Sequence, residues 1–72
     1  MPRKIRQLRA DLRGAGFVLK RTTGSHTVWE HPLLPGHLSI SGSDGSDAKA
    51  YQEKDVQTAL QDVRDAERRL KS

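Results

Sequence analysis

Apolar residues recur at Ile5, Leu8 and Leu12, with Ala15 close to the same stripe and mostly Arg, Lys, Gln and Asp between them. That spacing gives one apolar helix face and predicts a helix over about 3–14. Pro2 suits its first turn, and Gly14 and Gly16 offer a left-handed stop. The pattern then changes. Phe17–Arg21 and His26–His31 are rich in β-branched and aromatic residues and flank Thr22-Thr23-Gly24-Ser25, which predicts a β-hairpin with strands at about 17–21 and 26–31. Pro32 closes the second strand, Pro35-Gly36 turns the chain, and His37–Ser41 alternates polar with apolar as a third strand over about 37–41. The run from Ser41 to Asp47 is polar and glycine-rich, and predicts a flexible loop over 42–48. Val56, Ala59, Leu60, Val63 and Leu70 return to helical spacing over about 53–69.

Helix, three antiparallel strands and helix make an α+β fold, with both helices covering one face of the sheet and leaving the other bare. If residues 22–25 form a four-residue loop, Arg21 pairs with His26. Phe17, Leu19, Val28 and Glu30 then share the covered face with Leu38 and Ile40. Val18, Lys20, Thr27 and Trp29 fall on the bare one. A slip of one residue inverts that assignment.

Size and charge narrow the picture. The 72 residues allow one small domain with a thin core. The absence of cysteine excludes a disulfide framework, a Cys-ligated zinc site and a thiol nucleophile. No apolar run approaches a membrane span and no signal-peptide core follows the N-terminus, so a soluble, cytoplasmic protein is expected, with no membrane partner. The chain carries a net charge of +4, unevenly placed. Residues 1–21 hold seven basic side chains against Asp11 alone, whereas acids outnumber bases in the remainder. A basic concentration of this kind is the footprint of a phosphate-backbone binder; a solvated, solubilising helix face has the same composition.

The candidate chemistry is sparse. Ser25 and His26 are neighbours in sequence and point apart in a strand, so they are no nucleophile–base pair. His26, His31 and His37 lack metal-ligand spacing; no metal and no small-molecule cofactor is expected. His26 stands out by position, at the mouth of a tight hairpin with Lys20 and Arg21 across the loop. An imidazole there stays wet, and neighbouring cations favour its neutral, proton-accepting form. Gly24 allows close backbone approach to a ligand, and the loop amides can donate to a phosphate. RNA brings its own nucleophile, the 2′-hydroxyl, so a single base and nearby positive charge are enough to cut it. A polar residue at a strand end looks the same in sequence.

Gly16–Arg21 followed by Gly24-Ser25-His26-Thr27-Val28-Trp29-Glu30-His31-Pro32 resembles the signature of the HicA family, toxin ribonucleases of bacterial toxin–antitoxin pairs. The resemblance covers most of the chain and implies a fold similar to a double-stranded-RNA-binding domain. It further implies metal-independent endoribonuclease activity on mRNA, His26 as the catalytic group, and a HicB-type antitoxin as partner. Many members place a second His directly after the first, where this chain has Thr27, and reach the last helix by a shorter connection.

The RNA contacts expected around His26 are Lys20, Arg21, Gly24, Ser25, Thr27 and Trp29, the indole stacking on an unpaired base. Arg3, Lys4, Arg6, Arg9 and Arg13 of the first helix add sequence-independent backbone contacts. A non-catalytic RNA-binding module, or a module that binds a partner protein through the bare face and Trp29, is the competing expectation for the same fold.

Overall fold

A computed structural model describes residues 3–71 of the chain. The elements run α1 (Ile5–Gly14), β1 (Val18–Thr23), β2 (His26–Glu30), β3 (Leu38–Ile40) and α2 (Ala50–Lys71). The strands form one antiparallel sheet in the order β1-β2-β3, so the strand that begins with His26 is central. Both helices lie on one face of it. Ile5, Leu8 and Leu12 of α1 and Val56 and Val63 of α2 pack there with Phe17, Trp29 and Ile40.

The ends of α1 show why the chain turns where it does. The amides of Phe17 and Gly16 donate to the carbonyls of Leu12 and Arg13 at 3.0 and 3.1 Å, and Gly16 has φ +96°. This is a Schellman stop, with Phe17 and Leu12 supplying its hydrophobic contact. At the other end Lys4 precedes the helix and has no side-chain acceptor with which to cap it. Gln7 Oε1 accepts from the Lys4 amide at 2.8 Å. The first-turn amides of Ile5 and Arg6 reach the carbonyls of Ser46 and Asp44 at 2.9 and 3.2 Å. Residues 42–48, expected as a flexible connection, are therefore held against α1. Lys4 also pairs with Asp47, and the Ala48 amide donates to the Arg3 carbonyl. The physical reason is that a helix N-terminus lacks acceptors, and a polar loop lying beside it supplies them.

The hairpin differs from the expected register. Gly24 has φ +60° and no described non-glycine residue has a positive φ, the signature of a two-residue type II′ turn through Gly24 and Ser25. Thr23, rather than Arg21, therefore pairs with His26. A bulge at Lys20 then shifts the phase of β1, so that Arg21 opposes Val28 while Leu19 opposes Trp29. On β2 the face assignment is inverted: Thr27 and Trp29 point to the helices, and His26, Val28 and Glu30 to the open side, while Phe17 and Ile40 are buried and Leu38 packs against the core, as expected.

Burial of the indole decides between the two registers. Trp29 is 0% exposed on the helix side, and its neighbour Val28 takes the open face. Removing about 200 Å² of indole from water is worth roughly 5 kcal/mol, against at most about 3 kcal/mol for a valine. Thr27 makes the burial tolerable, because its hydroxyl accepts from Trp29 Nε1 at 3.0 Å and donates to the Ile40 carbonyl at 3.1 Å. Arg13 lies over the indole, 5.4 Å from its centroid.

The last helix begins three residues earlier than expected, behind a side chain that serves as a double anchor. Gln52 is buried; its Oε1 accepts from the Lys49 amide at 2.9 Å and its Nε2 donates to the Ser41 carbonyl at 2.8 Å. One residue thus caps α2 and fixes it to the end of β3.

Candidate active site

Strand alternation and the bulge together build the open face of the sheet. His26, exposed at the start of β2, lies directly opposite Thr23, and Arg21 opposes Val28 one pair further along the same face. Arg21 is thus a diagonal neighbour of His26, a relation that places Cβ atoms roughly 7–8 Å apart. Regular alternation would have set Arg21 and Leu19 on one face; the extra residue, Lys20, separates them and leaves Arg21 beside the imidazole. Arg21, Gly24 and Ser25 are all exposed around His26 on the outer strand and the turn, whereas Lys20, also exposed, lies toward the other end of the sheet beside Glu30, His31 and Pro32.

Two of the expected RNA contacts do not belong to this rim. Trp29 is sealed in the core with its N–H already bonded, so it cannot stack on a base. Thr27 is buried beside it, its hydroxyl engaged in both directions. The protein-binding role that relied on an exposed Trp29 loses its anchor for the same reason.

The basic residues of α1 and its approach differ from one another. Arg3 pairs with Asp11, and this hydrogen bond raises the guanidinium above its ordinary pKa, against a smaller opposing effect of desolvation. Lys4 pairs with Asp47, which offsets its charge. Arg6 is exposed.

Arg9, expected as an RNA-backbone contact, is instead a structural centre. Its side chain is 15% exposed. One terminal nitrogen pairs with the Asp44 carboxylate; the other donates to the carbonyls of Gly42 at 2.9 Å and Ser25 at 3.2 Å. The available signal was charge: a basic first helix and a loop containing Asp44 and Asp47 in the same short chain are natural partners.

The other histidines have different surroundings. His31 donates from Nε2 to the Ala15 carbonyl at 2.9 Å and accepts the Leu33 amide at Nδ1 at 3.0 Å, which selects one neutral tautomer. Its ring also meets Phe17 edge-on, with centroids 4.9 Å apart. His37 lines a cleft of about 290 Å³ at the end of β2 away from the hairpin turn. Glu30, Asp55 and Asp62 line the same cleft against the single ammonium of Lys54, and this excess of carboxylates opposes a phosphate backbone. Among the described residues, no group of three or more His, Asp or Glu is placed to hold a metal ion, and no helix is long and apolar enough to cross a membrane.

The model of the family described as the HicA toxin of bacterial toxin–antitoxin matches residues 5–67, from the first residue of α1 to the last turns of α2. The chain belongs to the HicA toxin family. The match takes in the whole hairpin and the loop that closes α1, so His26, its turn and the Arg9 contacts all lie within the family's extent. No curated protein and no solved structure matches the chain.

Proposed function

We propose that this HicA-family toxin is an endoribonuclease that cuts mRNA with His26 as general base. The observation that carries this reading is the placement of one exposed imidazole on the helix-free sheet face, at a tight turn, with Arg21 as its diagonal neighbour.

The chemistry needs few groups. A nitrogen of neutral His26 takes the proton of a ribose 2′-hydroxyl, and the freed oxygen attacks the adjacent phosphorus. The bond from phosphorus to the 5′-oxygen breaks. The departing oxygen is protonated from solvent, leaving a 5′-hydroxyl on one fragment and a 2′,3′-cyclic phosphate on the other. Arg21 binds the phosphate and stabilises its growing charge, with Lys20 meeting RNA further along the strand, while Gly24 and Ser25 give the backbone room to approach. Arg6 holds RNA further along, with Arg3 and Lys4 contributing less because Asp11 and Asp47 already pair with them. The position after His26, where many family members carry a second histidine, is core-facing Thr27 here, so the rim is complete without it. The partner that silences the site is an antitoxin of the HicB type, and the toxin acts in the cytoplasm, where mRNA is available.

Induction in a bacterial host tests the reading. Wild-type protein is expected to arrest growth and fragment cellular mRNA, and a co-expressed HicB-type antitoxin to relieve both. His26→Ala, expressed to the same level, is expected to do neither. Growth arrest by the soluble variant, with mRNA fragmented as before, refutes the assignment of the base.

A further inference from the structure

The turn that precedes His26 is held from below by a side chain of α1. Arg9 donates to the Ser25 carbonyl at 3.2 Å and, through the same nitrogen, to the Gly42 carbonyl at 2.9 Å; its other terminal nitrogen pairs with Asp44. These contacts span 16 and 33–35 residues of sequence and join three separate segments at one guanidinium. Asp44 and its neighbours are themselves fixed, because the Asp44 and Ser46 carbonyls accept the first amides of α1. Arg9 Nε is buried without a partner, so its terminal nitrogens carry all the bonding.

We propose that Arg9, set by Asp44 and Gly42, is a positioning residue that locks the Gly24–Ser25 turn and so fixes where the His26 imidazole stands over the open face. The proposal rests on the reading of His26 as the base, and extends it to a residue that does not touch RNA. Three features support it. A type II′ turn on an outer strand has little else to hold its Ser25 carbonyl, and a general base displaced by about 1 Å can lose on the order of 10²-fold in rate. Arg9 is mostly covered and already neutralised by Asp44, which removes it from the set of cations open to a phosphate. The acidic, glycine-rich segment between β3 and α2 also acquires a purpose, since it supplies both the counter-charge and the Gly42 acceptor.

The test separates backbone order from catalysis. Amide relaxation by NMR is measured for Gly24, Ser25 and His26 in wild type, Arg9→Ala, Arg9→Lys and Asp44→Ala, beside thermal unfolding and RNA cleavage rates. In Arg9→Ala, order parameters at these three residues are expected to drop from about 0.85 to below about 0.6, with the other strands unchanged. The kcat for cleavage is expected to fall at least about tenfold while KM moves less than about twofold. Lys reaches only part of the acceptor set and is expected to restore part of both readouts. Asp44→Ala removes the counter-charge without touching the Ser25 contact; it is expected to give a smaller change in the same direction, and serves if Arg9→Ala does not fold. Unchanged order at Gly24–His26 in every folded variant overturns the proposal whether or not the protein cuts RNA. A higher KM with unchanged kcat overturns it too, since that marks Arg9 as a direct RNA contact. A wild type that leaves RNA intact defeats the ribonuclease reading alone, because the relaxation result stands without it.

Discussion

His26 and Trp29 lie in one short strand, and their odd spacing sends one to solvent and the other to the interior. Each residue serves the other's placement, since burying the indole determines which face the imidazole occupies. Trp29→Ala is expected to destabilise the fold by about 3–5 kcal/mol in urea titration, with any loss of activity following the fraction unfolded. Trp29→Phe fills most of the space and leaves the Thr27 hydroxyl without its donor, and is expected to lose about 1–3 kcal/mol. His26→Ala, at an exposed position, should change stability by no more than about 0.5 kcal/mol in the same titration. The candidacy of His26 was legible in sequence because a rare residue type stood at a recognisable turn. The burial of Trp29 was not, because the face of a strand depends on register, and a bulge leaves no mark in composition.

At the scale of elements, the helix stripes and the order of strands were readable because each is written in local periodicity. The contacts that shape the site are non-local, and those were missed. Gly42–Asp47 looks mobile by composition, yet it closes the N-terminus of α1 and supplies acceptors to Arg9. The Schellman stop is the junction where local and tertiary demands meet. Gly16 has φ +96°, and a Cβ there would lie 3.1 Å from His31 Nε2, the atom bonded to the Ala15 carbonyl. Gly16→Ala is therefore expected to lower stability by about 1–2 kcal/mol from backbone strain alone, with a further loss where His31 is displaced. Thermal unfolding of the variant checks it: a midpoint equal to that of wild type would show that the junction relaxes without penalty. The far end of α2 carries no such demand, for Leu70 is 71% exposed.

Across the whole molecule, the basic excess is less uniform than the sequence suggests. Acidic partners engage Arg3, Lys4 and Arg9, while Arg21 stands in the open beside His26 and Lys20 is exposed further along the same outer strand. The carboxylates of the cleft at the other end of the sheet oppose phosphate there. On the proposed reading, RNA is thereby directed to the helix-free face at the hairpin end. Neutralising Lys20 and Arg21 together as Gln is expected to reduce the slope of log affinity against log salt by about 1.4, roughly 0.7 for each single-strand phosphate that is no longer neutralised. Neutralising Arg3 and Lys4 should change it less, and an equal change would place the RNA across α1 instead. Net charge pointed to a phosphate-bearing partner from sequence; the placement of the exposed charge required the fold.

The central claim, that one imidazole at the hairpin rim takes the proton of a ribose hydroxyl, meets its most direct test in purified protein. Wild type and His26→Ala are incubated with RNA in excess chelator, and both the cleavage rate and the chemistry of the new ends are measured. Wild type is expected to release fragments ending in 2′,3′-cyclic phosphate, and the folded variant to be slower by about 10² to 10⁴. Cleavage by the variant at the wild-type rate would contradict the account, as would wild-type products bearing 5′-phosphates.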